Sequence, residues 1–76
     1  MFNAIFGRRA YIDEPSPAEL RNLRLLAEEG LSNSQIAARV HKTYDTIANQ
    51  MQSVFYKLGV TTRTAAVIQA MRRGWL

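Results

Sequence analysis

Residues 31–59 read LSNSQIAARVHKTYDTIANQMQSVFYKLG, and this stretch determines the fold that we expect. Ser32, with Gln35 three residues later, forms a capping box, which is typical of a helix N-terminus. In it each side chain accepts a hydrogen bond from the backbone N–H of the other residue. The helix that begins there is expected to end near residue 40, before a turn of three residues, 41–43. A second helix over about 44–58 is indicated by apolar residues at helical spacing, namely Ile47, Met51, Val54, Phe55 and Leu58. Two helices joined by so short a turn predict a helix-turn-helix motif, with the second as the recognition helix.

Helices are also expected on both sides of this motif, so the predicted fold class is all-α with four helices. The stretch Ser16-Pro17-Ala18-Glu19 is a capping box with proline at the first helical position, and it predicts a helix over about 17–29. A last helix is expected from after Thr62 to about residue 73. No segment alternates with the period of two that marks a strand. The apolar stripes of these outer helices are Leu20, Leu23, Leu26 and Ala27, then Ala66, Val67, Ala70 and Met71.

Residues 1–15 are expected to form an N-terminal arm or a short extra helix, and residues 16–76 the domain proper. Phe2, Ile5 and Phe6 fit one helical face, and the prolines that follow stop that helix before the domain. The apolar start precedes its arginines and is too short for a signal peptide. No run approaches the ~20 apolar residues of a membrane-spanning helix. We therefore expect a cytoplasmic protein with no membrane association.

The composition limits the chemistry that this chain can carry. With no cysteine and a single histidine, His41, the sequence offers neither a thiol nucleophile nor a set of metal ligands. It has no glycine-rich phosphate loop, so we expect no catalytic residues, no metal, no cofactor and hence no enzyme. Residues 30–76 carry six Lys and Arg against one acid, Asp45, whereas residues 1–29 carry four against five. This asymmetry favours a polyanionic partner, although a solvated surface would have the same composition.

The outer side of the helix over about 44–58 carries candidate base-reading side chains. Ala48, Asn49 and Gln52 lie within about one turn of one another on that side. The amides of asparagine and glutamine donate and accept at once, as reading an adenine edge in the major groove requires, and alanine can touch a thymine methyl. Amides on an exposed helix face are also common as solvent-facing residues, so the pattern alone leaves both interpretations open.

Separated short motifs along most of the chain follow one family pattern. They are Ser16 to Leu20, Leu23 to Ala27, Gly30 to Asn33, Ile36-Ala37, Thr46-Ile47, Lys57 to Val60, Arg63-Thr64 and Ala66-Val67. Together they resemble the DNA-binding domain of LuxR-type (NarL/FixJ, GerE-like) transcription regulators of bacteria or their phages. The resemblance covers about residues 15–76. It implies a four-helix helix-turn-helix fold that binds double-stranded DNA as a homodimer, in the cytoplasm at the nucleoid.

The resemblance also implies roles for particular residues. Contacts to bases and to the nearby backbone are implied for Ala48, Asn49 and Gln52. Phosphate contacts are implied for Asn33, Thr43, Thr46 and Lys57. Helix N-termini suit phosphates because their N–H groups lack partners and the helix dipole attracts anions. The last helix of the family often forms the dimer contact, which implies an interface at Val67, Ala70 and Met71.

This chain departs from the family pattern at several positions. The family usually has Lys at the position of Ala48, often His at Gln50, Ile at Lys42 and Val at Asn22. The absence of lysine at position 48 removes a contact to a phosphate or a guanine. Lys42, in the turn, is a candidate to restore a phosphate contact. Only 15 residues precede the domain. We therefore expect a stand-alone member of the family, controlled by its expression level or by a partner rather than by a sensor domain of its own.

The alanine at position 48 also motivates a second hypothesis. A domain with weakened DNA contacts is expected to act as a protein-interaction module that pairs with or antagonises a full-length LuxR-type regulator. Its contact surface would be the apolar arm, the last helix or the Trp75-Leu76 tail. This hypothesis predicts little DNA affinity for the chain alone and tight binding to another regulator protein.

Overall fold

The computed structural model describes residues 14–76, and the secondary structure of that part of the chain consists of four α-helices. They are α1 (Pro17–Glu29), α2 (Asn33–Val40), α3 (Tyr44–Leu58) and α4 (Arg63–Arg72). The all-α, four-helix fold class expected from the sequence is therefore confirmed. The arm expected over residues 1–15 lies outside the described residues, except for its last two. None of the four helices has the length and apolar character needed to cross a membrane.

Side-chain caps determine where the first two helices begin. Ser16 Oγ accepts the N–H of Glu19 at 3.1 Å, while Glu19 Oε1 accepts the N–H of Ser16 at 2.9 Å. Ser32 and Gln35 make the same reciprocal pair at 3.2 and 2.9 Å. Both capping boxes predicted from the sequence are thus formed, and they satisfy N–H groups that a helix leaves without internal partners.

The turn between α2 and α3 is tight because His41 adopts the left-handed conformation, with φ 58°. A residue with a side chain costs roughly 1–2 kcal/mol in this region. The N–H of Lys42 then donates to the carbonyl of Ala37 at 3.0 Å, which closes the end of α2. Thr43 caps α3, its Oγ1 accepting the N–H of Thr46 at 3.2 Å. The chain reverses within residues 41–43, so α2 and α3 form the predicted helix-turn-helix motif.

The core is built around α3, which packs against α1, α2 and α4. Its buried apolar residues are Leu23, Ile36, Ala37, Ile47, Met51, Val54, Leu58, Ala66 and Ala70. Ala27 and Met71, which belong to the apolar stripes of the outer helices, are exposed. In α1 the inward face instead includes Glu19 and Asn22, which are 4% and 0% exposed. Positions 19, 22, 23 and 26 form one helical stripe, and Ala27 lies at its edge.

Candidate nucleic-acid interface

The outer side of α3 presents polar side chains to solvent. Asn49 and Gln52 are exposed, whereas Ile47 and Met51 on the opposite side are buried. Ala48 lies at the edge of the exposed side and is half-buried. The structure therefore places the three predicted base-reading residues on one accessible surface, with Ala48 at its margin.

The N-terminus of α3 has the chemistry of an anion site. Thr43 Oγ1 and Thr46 Oγ1 lie 2.8 Å apart and share a hydrogen bond, and Lys42 is exposed beside them. The first-turn N–H groups of a helix point outward, and the dipole favours an anion there. Asp45 lies in the same turn and is exposed, so its carboxylate opposes an anion. The structure thus brings together three of the predicted phosphate contacts, Lys42, Thr43 and Thr46.

Asn33, a further predicted phosphate contact, is the first residue of α2 and is half-buried. Its Oδ1 accepts a hydrogen bond from Arg63 Nη1 at 3.1 Å. The Nη2 of the same guanidinium donates to the carbonyl oxygen of Leu31 at 2.6 Å. Arg63 therefore joins the start of α4 to the start of α2. Within residues 14–76 the side-chain N–H groups of Asn33 make no hydrogen bond.

Lys57 lies in the last turn of α3 and is held against α1, with 16% of its side chain exposed. Its Nζ lies 2.7 Å from Glu19 Oε1 and 3.0 Å from the carbonyl oxygen of Glu14. Burial raises the pKa of Glu19, but hydrogen bonds from Lys57, Ser53 and the N-cap backbone, with the lysine charge, outweigh it and lower the pKa overall. An ammonium has three donors, so these two contacts leave one N–H of Lys57 without a partner among residues 14–76.

A partly buried polar network joins α1 to the flank of α3. Asn22 Nδ2 donates to Gln50 Oε1 at 2.8 Å. Arg21 Nε and Nη2 donate to Asn22 Oδ1 at 3.1 and 3.0 Å. Within residues 14–76 every buried side-chain nitrogen and oxygen has a hydrogen-bond partner. The departures from the family pattern at positions 22 and 50 are therefore partners of each other.

The exposed cations of the helix-turn-helix motif are in different electrostatic surroundings. Arg39 Nη2 of α2 lies 2.9 Å from Glu29 Oε1 of α1, and its hydrogen bond lowers the pKa of Glu29. Both side chains are about half exposed, so this pair contributes little to stability. Lys42 has no carboxylate within 4.0 Å in the described part of the chain. The unpaired positive charge of the motif is thus at its turn.

The exposed side of α4 carries two apolar side chains, Ile68 and Met71, between Thr64 and Arg72. Ile68 and Met71 are 45% and 61% exposed, and Val67 is half-buried, whereas Ala70 is fully buried in the core. Of the predicted dimer residues, Val67 and Met71 are therefore accessible to a second chain and Ala70 is not. Ile68 escaped the sequence analysis because it falls outside the inner stripe of α4. An open groove of about 280 Å³ beside this surface is lined by Leu26, Ala27, Arg63, Thr64, Val67 and Ile68.

The fold and the polar outer side of α3 define a helix-turn-helix domain of the DNA-binding type. Residues 16–70 match the family described as bacterial regulatory proteins, luxR family. The chain belongs to this family, which implies DNA as its partner. Across residues 14–76 no cluster of three or more His, Cys, Asp or Glu is placed to hold a metal ion.

Similar proteins of known class are transcription regulators. The HTH-type transcriptional regulator AlkS of Ectopseudomonas oleovorans is 47% identical over 49 residues, which is 64% of this chain and 6% of AlkS. The transcriptional regulatory protein LnrK of Bacillus subtilis is 38% identical over 56 residues, which is 71% of this chain and 26% of LnrK. The crystal structure of the response regulator ChrA, of a heme-sensing two-component system, matches with a TM-score of 0.78 at 35% identity. That match covers 83% of this chain and 31% of ChrA, so the chain spans less than a third of each relative.

Proposed function

We propose that this chain is a sequence-specific DNA-binding transcription regulator that acts in the cytoplasm as a homodimer, with α3 in the major groove of each half-site. One observation carries the proposal. Asn49 and Gln52 project from the side of α3 opposite the core, next to a helix N-terminus that bears the exposed Lys42. Family membership implies a DNA partner, and this surface has the chemistry to meet it.

Sequence is read in this proposal by Ala48, Asn49 and Gln52. An asparagine or glutamine amide makes two hydrogen bonds to one adenine, accepting from its N6 amino group and donating to its N7. Each such bidentate contact contributes about 1–3 kcal/mol of discrimination against a wrong base. Ala48 allows α3 to approach closely and offers a methyl to thymine. A lysine at this position would favour guanine, so its replacement by alanine shifts the expected preference toward A·T pairs.

Affinity comes from phosphates along the walls of the groove. Lys42, Thr43 and Thr46 bind them at the N-terminus of α3, and Asn33 does so at the start of α2. Lys57 contributes the N–H that its contacts with Glu19 and Glu14 leave over. These contacts position the protein without reading sequence, and each neutralised phosphate adds about 0.9 to the salt dependence of the binding constant.

The second copy of the chain is proposed to dock on α4 through Val67, Ile68 and Met71. Exposed apolar side chains gather there, and burying them against the same face of a second α4 removes them from water. Ala70 is fully buried against the core, so this proposed surface does not include it. A two-fold arrangement places the two α3 helices about 34 Å apart, one turn of DNA.

The exposed apolar residues of α4 also support a second candidate function. In this alternative the chain pairs with, or antagonises, a full-length luxR-family regulator, and its own α3 contributes little binding because Ala48 replaces a lysine. The same surface, Val67, Ile68 and Met71, then meets α4 of the other protein. The two candidates differ in whether the chain alone binds DNA.

Fluorescence anisotropy against a pool of random-sequence duplexes, with sequencing of the bound fraction, separates the two candidates. The measurement is made at low and at physiological salt. The regulator hypothesis predicts salt-dependent binding and enrichment of a two-fold symmetric motif with half-site centres about 10 bp apart. Absence of binding at low salt would reject it and support the interaction module, for which a purified full-length relative is the probe.

A further inference from the structure

Arg21 lies on α1, outside the helix-turn-helix motif, yet its guanidinium reaches the recognition helix. Its Nε and Nη2 both donate to Asn22 Oδ1, at 3.1 and 3.0 Å, and Nη2 also lies 3.4 Å from Gln50 Oε1. Asn22 is fully buried and donates to the same Gln50 oxygen at 2.8 Å. The guanidinium is therefore held in one orientation, against the flank of α3, by the buried amide of Asn22 and the half-buried amide of Gln50.

The partners of Arg21 leave its charge uncompensated. The ion pairs within residues 14–76 are Arg39–Glu29 and Lys57–Glu19, and no carboxylate of that region lies within 4.0 Å of Arg21. Among residues 14–76 its hydrogen bonds use Nε and Nη2, and none involves Nη1. A guanidinium has five N–H donors in a planar fork. A positioned cation with an unused edge is thus half-buried beside α3.

The flank of α3 that Arg21 occupies would face the DNA backbone. Gln50 and Lys57 mark this flank, because both bond to α1, and Thr46 lies one turn before Gln50 on the same side. A helix with its side chains is about 10–12 Å across, and the major groove is about 12 Å wide. The sides of a helix in the groove therefore meet the phosphates of the two strands. Arg21 lies against Gln50, one helical turn beyond Thr46 along α3. It therefore extends the line of proposed phosphate contacts that begins at the α3 N-terminus.

We propose that Arg21 is a phosphate-binding residue, oriented by Asn22 and Gln50 to donate from Nη1 to a phosphodiester oxygen of the strand that lies along the α1 side of α3. This inference rests on the proposed function, because phosphates come within reach only when α3 occupies the groove. It gives the Asn22–Gln50 amide pair a function, which is to position the arginine. Asn22 and Gln50 are accordingly positioning residues that need not touch DNA themselves.

The test compares Arg21→Ala and Arg21→Lys with Arg24→Ala as the matched control. Arg24 lies three residues along the same helix and is exposed, and it makes no side-chain hydrogen bond within residues 14–76. Binding to a fixed nonspecific duplex is measured by anisotropy across a salt series, so that sequence reading does not enter. Arg21→Ala is expected to reduce the slope of log K against log salt by about 0.9, while Arg24→Ala leaves it unchanged. Arg21→Lys keeps the charge and is expected to keep the slope with weaker binding.

Each outcome of this series supports or overturns the inference. An unchanged slope for Arg21→Ala, with wild-type binding intact, overturns the role of Arg21 and leaves the proposed function standing. An equal loss of slope in Arg24→Ala also overturns it, because charge alone would then be responsible. Absence of salt-dependent binding by the wild-type chain means that the proposed function itself has failed. Far-UV circular dichroism confirms folding, and if Arg21→Ala does not fold, Arg21→Met is measured against Arg24→Met in its place.

Discussion

The Lys57 ammonium lies 2.7 Å from Glu19 Oε1, the same carboxylate oxygen that accepts the N–H of Ser16 and closes the capping box of α1. One carboxylate therefore holds the first turn of α1 and the last turn of α3 together. The Glu19 and Lys57 side chains are only 6% and 16% exposed. The orientation of the recognition helix relative to α1 depends on this pair and on the Asn22–Gln50 bond two turns away along α3.

Replacement of Glu19 by glutamine is expected to lower the free energy of unfolding by about 3 kcal/mol, because it leaves the Lys57 charge partly buried without its partner. A glutamine still completes a capping box, so the substitution removes the charge and keeps the cap. The measurement is urea denaturation at pH 7. Glu28→Gln, on the exposed side of the same helix, is the control and should change stability by less than about 0.5 kcal/mol. Equal stability of wild type and Glu19→Gln would contradict this account.

The same pair predicts how stability depends on pH. The pKa of Glu19 in the folded protein is lowered from its ordinary value of 4.5. Its contribution to stability is therefore present above about pH 4.5 and is lost as the pH falls through the lowered folded value. The gap in unfolding free energy between wild type and Glu19→Gln should narrow in that acid range. Glu29, whose pKa is also lowered, is present in both proteins and cancels in the difference. A gap that stays constant down to pH 3 would count against the assignment.

The Asn22–Gln50 bond is expected to show strong energetic coupling. Asn22→Val and Gln50→Leu each leave a polar partner unsatisfied, so each single change should cost about 1–3 kcal/mol. The double substitution removes both polar groups and should cost less than the sum, with a coupling energy of about 1–2 kcal/mol. Thermal or urea denaturation of the four proteins gives this cycle. Additive effects would show that the two amides do not depend on each other.

The helices and their ends could be predicted from the sequence because they depend on local chemistry. The Ser16–Glu19 and Ser32–Gln35 capping boxes and the three-residue turn act within a few residues, and each was found where expected. Asn49 and Gln52 were assigned to the exposed side because the apolar residues of α3 define its buried side. The polar outer side of α3 could be predicted from the sequence for the same reason.

Long-range polar pairs could not be predicted in this way. The sequence places Glu19 in a capping box and marks Asn22 only as a departure from the family pattern. Their partners 38 and 28 positions away, Lys57 and Gln50, are not visible in a single sequence. A short helix with a broad apolar face also leaves its rotation undetermined. For that reason the apolar stripe predicted for α4 includes both Ala70, which is buried, and Met71, which is exposed, and it omits the exposed Ile68.

Substitution of Asn49 or Gln52 by alanine is expected to weaken binding to the selected site by about 1–3 kcal/mol each, and to relax the preference at the base pair that each amide reads. Binding to a nonspecific duplex is the internal control and should change little, because both side chains are uncharged and are proposed to read bases. Competition binding against a panel of single-base-pair variants of the selected site measures both effects. Unchanged discrimination across the panel would show that these amides only face solvent.

Met71→Asp is expected to dissociate the proposed dimer, because it places a charge in the apolar surface that Met71 forms with Val67 and Ile68. Met71 is 61% exposed in the single chain, so its replacement should leave the folded monomer intact. Sedimentation velocity over a concentration series measures the effect, with Thr61→Asp, which adds the same charge at an exposed position outside α4, as the control. A monomer presents one recognition helix and meets one half-site. The variant should therefore lose the preference for two half-sites about 10 bp apart while it still recognises a single one. A dimer that persists in Met71→Asp would place the interface on another surface of the chain.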